Sequence, residues 1–573
     1  MTDSLAMNAL LETAVAHFER KEIDQADTLC AEILATAPSA AALHLRGLIA
    51  ISRRDYVQAA DHLSAATAMA PDDPDIHLRL GGVLLALEDR ERASAVTEKA
   101  VALKPGDREA HLYLAQARLL EKRFDEANVA ALRALALSPE WPRALEVLAL
   151  IAFENGKRER ALQLAERALM RESRSAVAHR VIADVHVHRK NYQAARAHYE
   201  AALHIEPKQG RTLSHYALFL NRTGEAEMAV ETYQKSLRYL PGDVAAQHGL
   251  SQVLLALGRL SEGWPLYRQR RVVQKLAPRH PDLPLLERLP QTGERVLAWM
   301  DEGVGDQIMW ASLLPDLVQI GAELVVECDP RLVPLLARSF PQVDFMPWDE
   351  PRAPIPGARP SAHFSLSDHA AIWLRDRFEK FHAQGYLLPP ERRFQDLRAK
   401  YRRQRPAAPV IGISWKTADG GKITGEKTLA LAQWGPLLHM PGATFVNLQY
   451  GQCAEEIADT EKKFGIRITC DAGIDPVEDL DAFAAQVAAM DLVITTSNAT
   501  AHVAGALGIP TWVLVPKGFG GLWHWFLNRD DSPWYPAVRI FRQTTQGDWE
   551  PVIAAASEAL VEFVGTQPLP SRP

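Results

Sequence analysis

Three short stretches in the second half of this 573-residue chain hold residue types and spacings suited to group transfer. The first is DEGVGDQIMW, residues 301–310. Gly303 and Gly305 allow a tight turn directly after an apolar run at 296–300, and Asp306 opens a helical stretch reaching residue 320. Two readings stay open for Asp306. As a helix N-cap it would only accept backbone N–H groups. As a general base at a cleft it would take the proton of an acceptor hydroxyl. His363 and Glu302 are the next candidates for that base.

The second stretch is DLVITTSNATAHVAGALGIPTWVLVP, residues 491–516. A strand ends at Thr495 and Thr496, and Ser497, Asn498, Ala499 and Thr500 open a helix of small residues. Unpaired N–H groups and the helix dipole make such a start an anion site, and small side chains let a phosphate come close. His502 in the first turn either faces that anion or is a core histidine. The third stretch, ISWKTADGGKITGEKT at 413–428, places Lys416 at a strand's carboxyl end, where ligands bind in parallel sheets. Lys427 and Thr428 follow a glycine loop. Either lysine neutralises phosphate or is solvated surface, the solvated reading fitting Lys422 best. Asp479 and Asp481 form a DxD that reads as helix-start capping, so no metal is expected.

Strands and helices must position these groups. From 275 to 294 the chain carries Pro278, Pro281, Pro284 and Pro290, the composition of a linker. Strands then alternate with helices: 296–300, 322–328, 410–415, 443–449, 466–469, 492–496 and 512–515. A proline-rich break at 351–360 and a basic hinge at 398–405 divide the series. Alternation predicts parallel sheets covered on both faces. Two Rossmann-type lobes are expected, at 295–400 and 408–565, with a cleft between them and nucleotide-sugar binding on the second. A final helix at 549–563 is expected to cross back onto the first lobe.

The first half, 1–274, is a repeat array. Pro71, Pro105, Pro139, Pro207 and Pro241 fall on a 34-residue grid, with Ser173 in the gap and Pro38 one residue off. Twelve residues before each point stands Ala26, Ala59, Ala93, Ala127, Ala161, Ala195 or Ala229. Small residues let paired antiparallel helices approach, and the proline ends the second helix. The pattern is identified as the tetratricopeptide repeat: an α-solenoid of about seven repeats and a degenerate cap around Gly263. Its groove suits a protein partner. Leu78, Leu85, Leu112, Leu119, Leu150 and Phe153 fall near that face, either as an apolar strip for a partner helix or as packing between repeats. Asn8, Asn128, Asn155, Asn191 and Asn221 share no column, so the asparagine ladder by which O-GlcNAc transferases grip extended peptide is absent.

A net charge of −7 argues against a nucleic-acid partner. No apolar run approaches the roughly 18–20 residues of a membrane span. Residues 1–20 do not read as a signal peptide. Cys30, Cys328, Cys453 and Cys470 are scattered, which fits a reducing cytoplasm and no zinc site.

Residues 296–550 resemble the bacterial heptosyltransferase family, with its GT-B architecture, and more closely the transferase module fused to tetratricopeptide repeats in proteobacteria. GVGD matches that family's glycine–aspartate turn, which implies Asp306 as base. SNATAHVAGALGIPTWVL matches its nucleotide-sugar phosphate loop, with Ser497-Asn498 standing where the family writes Asp-Thr. SWK matches the phosphate-side lysine, Lys416. The stretch DDSPWYPAVRIFRQ at 530–543 is also typical of the repeat-fused group. The resemblance implies a sugar-nucleotide donor bound by Gly303, Gly305, Lys416, Lys427, Ser497, Asn498, Ala499, Thr500 and His502, with no other cofactor. The arrangement is similar to alphaproteobacterial flagellin glycosyltransferases, which implies transfer of a nonulosonic acid, such as pseudaminic acid from its CMP form, to Ser or Thr of flagellin held by the repeats. The competing expectations are a transferase acting on lipopolysaccharide or another glycan, and a non-catalytic repeat adaptor.

Overall fold

The computed structural model describes residues 2–277, 279–348, 357–382, 384–403, 405–417, 427–518 and 520–565. The Pro-rich stretch 351–356 and most of the glycine loop, including Lys422, lie outside them. The chain forms two compact units, Met1–Thr212 and Leu213–Pro573.

The first unit is a solenoid of antiparallel helix pairs, beginning Thr2–Glu19 with Ile23–Thr36, Ala40–Ser52 with Tyr56–Met69, and Pro74–Ala86 with Arg90–Leu103. Local chemistry repeats with the pattern. Asp73 and Asp107, 34 residues apart, cap their helices by accepting backbone N–H groups two and three residues on. The turn inside each pair holds one residue at positive φ: Lys21, Arg54, Glu88, Lys122, Gly156 and Lys190. Column alanines Ala26, Ala59, Ala93, Ala127, Ala161 and Ala195 are fully buried where the paired helices touch. Gly47 shows why the column is small: a Cβ there would lie 2.6 Å from Leu63 Cγ. Leu78 and Leu112 are core, whereas Leu85, Leu119, Leu150 and Phe153 are half-buried. The groove strip therefore lacks the first two, which the packing between repeats consumes.

The division falls within the helix Gly210–Arg222, and in the second unit Ala226–Tyr239, Val244–Ala256 and Leu260–Tyr267 continue the repeat pattern, followed by the short helix Arg270–Val273. These belong by packing to the α/β module, so the division comes earlier than the expected boundary at 274. Trp264 is the cause. It is 1% exposed, donates to the Arg375 carbonyl at 2.7 Å, and meets Trp310 and Trp523 edge-on at 6.1 and 5.3 Å.

The first lobe is an all-parallel sheet in the order β3-β2-β1-β4: Asp344–Pro347, Glu323–Cys328, Arg295–Trp299 and Ala362–Ser365. The expected linker is part of it. His280, Leu283 and Leu286 are buried, and the His363 N–H donates to the Pro284 carbonyl while His363 O accepts from Leu286 N–H. The helical stretch after β1 is two helices, Val304–Ala311 and Leu314–Gln319.

The second lobe is a six-stranded parallel sheet in the order β10-β9-β8-β5-β6-β7. Its strands are β5 Val410–Ser414, β6 Thr444–Asn447, β7 Ile468–Thr469, β8 Leu492–Thr496, β9 Thr511–Val515 and β10 Val538–Arg542. Strands β5, β8 and β9 are buried at every residue, as central strands covered on both faces must be. The edge strand β10 was not among the expected strands. The helix Glu391–Arg402 joins this lobe, although residues up to 400 were expected in the first: Tyr401 accepts from Gln486 Nε2 at 3.1 Å, and Arg402 pairs with Asp491 at 2.6 Å. The final helix, Glu550–Gly565, also stays on the second lobe, because Val552, Ile553, Ala556 and Leu560 complete the core around Ile411, Ile413 and Trp434. The crossing back expected from the sequence is corrected by that packing.

The repeat packing gives a direct test. Gly47→Val forces Leu63 aside, and overpacking typically costs about 1–3 kcal/mol. A lowered thermal midpoint of residues 1–212 is expected; an unchanged one would mean the helix pair has slack that the 2.6 Å approach excludes.

Candidate active site at the strand ends of two sheets

The helix Val304–Ala311 of the first lobe packs directly on Ala499–Ala506 of the second. Glycine makes this possible. A Cβ on Gly305 would lie 2.9 Å from His502 Cδ2 and 3.5 Å from Ala499 Cα. Neither Gly303 nor Gly305 has positive φ, so the expected tight turn is not their reason. Gly303 is the N-cap, in extended backbone with φ −65° and ψ 161°.

Asp306 is therefore the third residue of its helix and not the cap. Its side chain has no hydrogen-bond partner among the described residues. Burial pushes its pKa up, while Lys427 and Arg270 pull the other way. Lys427 is half-buried; burial lowers its pKa and Asp306 opposes that. A carboxylate and an ammonium thus feel each other's charge, neither with a hydrogen bond or ion pair among the described residues, after the carboxyl ends of β1 and β5.

Asn498 is wholly spent on its own lobe. Its Oδ1 accepts from Thr500 N–H and Thr495 Oγ1, both at 3.0 Å, and its Nδ2 donates to Ser414 Oγ at 2.8 Å and Lys416 O at 3.2 Å. That cap ties the phosphate-loop candidate to the end of β5. Ser497 Oγ accepts from Trp525 Nε1 at 2.7 Å. Ala499 is the first helical residue. The Thr500, Thr496 and Thr417 hydroxyls are buried with no partner among the described residues. Orphaned hydroxyls at the carboxyl ends of neighbouring strands are what a bound polar ligand would satisfy.

Lys416 donates to Gln452 O at 3.1 Å and pairs with Glu456 at 3.3 Å. Beside it opens a cavity of about 600 Å³ lined by Asn447, Gln452, Cys453, Glu456 and Cys470. His502 differs from the expectation of an anion ligand: burial lowers its pKa to about 3, so it brings no positive charge, and Tyr535 OH meets its Nδ1 at 2.8 Å. His363 is taken up in β4, where its Nδ1 accepts from Trp299 Nε1 at 3.0 Å. Asp479 caps its helix through Ala482 N–H, as expected, and Asp481 pairs with Arg338.

Sequence reasoning missed a neighbouring cluster. Arg270 and Arg271 reach Asp301, Glu302 and Asp368 at the ends of β1 and β4. Burial pushes Glu302 up to about 7, Asp301 and Asp368 adding to the shift against Arg270. The trace in the sequence is a basic run, Arg268-Gln269-Arg270-Arg271, at the end of the cap.

The fold and site define a tetratricopeptide-repeat protein continued by a two-lobed, all-parallel α/β module. Residues 50–116 and 147–210 match tetratricopeptide repeat family models. The chain belongs to the family of Protein FlbA of Caulobacter vibrioides, with 31% identity over 457 residues, 73% of this chain and 72% of that protein. Among solved structures it is similar to a tetratricopeptide repeat protein of Parabacteroides merdae, at 13% identity and TM-score 0.39, covering 44% of this chain and 99% of that one. It is also similar to a thermophilic TPR protein of Thermus thermophilus, at 25% identity and TM-score 0.30, covering 32% and 100%. Among the described residues no helix is long and apolar enough to cross a membrane.

The two glycines should respond differently. Gly305→Ala drives a methyl into His502 and should cost about 1–3 kcal/mol of stability. Gly303→Ala meets nothing closer than Asp306 Oδ2 at 3.7 Å, and should stay within about 0.5 kcal/mol of the parent. Denaturant unfolding of both reads this; equal losses would place the helix contact elsewhere.

Proposed function

We propose that this protein is an O-glycosyltransferase: the repeats hold an acceptor protein, and the α/β module, working as a GT-B transferase in the cytoplasm, moves a sugar from a sugar nucleotide to Ser or Thr. The observation that carries this reading is Asp306, a carboxylate without a hydrogen-bond partner among the described residues, on the first-lobe helix that packs against the start of Ala499–Ala506 and within the influence of the Lys427 charge. A base must be free to take a proton, and a nearby cation suits a departing phosphate. The orphaned hydroxyls of Thr417, Thr496 and Thr500 and the helix start at Ala499 support a phosphate there. Gly303 leaves the helix start beside Asp306 open, and Gly305 lets the two helix starts touch. Lys416 and the adjoining cavity support the rest of the donor. Asn498 acts by holding the loop, and His502 by packing it.

Flagellin as acceptor and a CMP-activated nonulosonic acid as donor rest on the resemblance of residues 296–550 and of the repeat-plus-module order. The adaptor reading draws on Ser497 and Asn498, whose side chains serve the protein itself. Incubating the full chain with flagellin and sugar nucleotides, then measuring intact mass, separates them. Bound and heavier flagellin means enzyme; bound and unchanged means adaptor; unbound flagellin points to another acceptor, such as a glycan.

Asp306→Asn keeps size and fold, since the residue caps nothing. Donor and acceptor binding should survive while transfer falls about 10²- to 10⁴-fold. Because burial raises the Asp306 pKa, the parent's activity should fall, as pH drops, above the ordinary carboxylate range. Normal transfer by the variant would move the base to Glu302.

A further inference from the structure

We propose that His524, on the turn after β9, is a further binding residue of the site: its Nε2–H donates to a phosphate oxygen of a nucleoside phosphate held at the start of the helix Ala499–Ala506. This rests on the donor-site reading above and adds to it a residue outside the GVGD, SNAT and SWK stretches.

The turn Trp523–Trp525 lies against that helix start. Trp525 Nε1 donates to Ser497 Oγ at 2.7 Å, and the His524 ring meets that of His502 edge-on at 5.1 Å. His502 is the residue that Gly305 of the first lobe approaches. His524 therefore sits where the two helix starts meet. It is 2% exposed, and its Nε2 is buried with no hydrogen-bond partner among the described residues. The fully buried Thr496 and Thr500 hydroxyls, at the end of β8 and in the first turn of the helix, share that state. Leaving such groups unpaired is costly, and three of them around one helix start call for a common acceptor. Phosphate oxygens only accept, and the helix dipole favours their charge. Burial pushes the His524 pKa well down, so the imidazole serves as a neutral donor.

The backbone holds the ring in place. Phe526, two residues on, has φ 43° and ψ 152°, a conformation costly for any residue with a side chain. Its surroundings enforce it: Arg542 of β10 donates to the carbonyls of Trp525 and Phe526, and Leu527 N–H donates to Ala256 O at 2.7 Å. Strain of this kind persists where neighbours over-determine it, and it concentrates at ligand clamps. The bland alternative is a core histidine packed among aromatics, with Trp523 and Trp525 at 5.6 and 5.0 Å. The two roles differ in what substitution does. Replacing an unpaired buried nitrogen by an apolar ring of similar size is nearly neutral for folding, whereas a ligand that used the nitrogen loses a hydrogen bond.

The test uses the full chain with CMP, UDP and inorganic pyrophosphate as probes, affinity being read by calorimetry and stability by the thermal midpoint. His524→Phe should keep or raise the parental midpoint and weaken the tightest-binding probe by about tenfold or more, as loss of a hydrogen bond to a charged group does. His524→Gln, which restores an N–H, should recover part of that affinity. Parental affinity in a folded His524→Phe overturns the proposal, and so does a parent that binds none of the three probes. A lowered midpoint in both variants, with an affinity loss that Gln does not reduce, is a packing effect and overturns it too. If His524→Phe does not fold, a crystal structure of the parent with its probe decides: Nε2 must lie within about 3.2 Å of a phosphate oxygen, and a longer distance overturns it. None of these measurements needs an acceptor. A chain that holds its probe through His524 and leaves flagellin unchanged keeps the assignment and loses the transferase reading. A chain that makes flagellin heavier, and binds its probe equally well as His524→Phe, loses only the assignment.

Discussion

The close approach of two helix starts, at Gly305 and Ala499, is the constraint on which the module depends. A methyl on Gly305 would come within 2.9 Å of His502. With no side chain in between, the carboxyl ends of β1, β5 and β8 share one small volume. Asp306, after β1, and Lys427, after β5, act on each other's charge there. Separation by a side chain's width would admit water and screen the pair.

That contact is braced from two sides. Trp264 of the last full repeat helix meets Trp310 of the first lobe and Trp523 of the second, so one indole touches all three parts. On another face Arg338 of the first lobe pairs with Asp481 of the second. Large aromatic surfaces supply most of the burial, and the ion pairs add direction. The repeat end is thereby structural for the α/β module as well as a continuation of the array.

Much of the solenoid was legible because its rules are local and recur. A buried alanine column, an aspartate cap and a helix-ending proline each act within a few residues, so they reappear at fixed spacing. The sheet strands were legible for a similar reason: an all-buried parallel strand is a short apolar run, as at 410–414, 492–496 and 511–515. Edge elements were not. β10 interrupts its buried residues with two arginines, one exposed and one half-buried, and 280–286 reads as a proline-rich linker although it lies along a sheet.

At the site, the residue types in GVGD, SNAT and SWK were visible, but their roles were divided by partners far away in sequence. Asn498 is consumed by Ser414 and Lys416, and His502 is neutralised by burial beside Tyr535. Arg270 meets Asp301 and Asp368 across about thirty and a hundred residues, and no spacing rule spans that. By itself the sequence determined the repeat period, the alternation of strand and helix, and which side chains could carry charge, because those depend on neighbours along the chain. Tertiary structure alone decided which charges remain unpaired, since pairing and desolvation depend on neighbours in space.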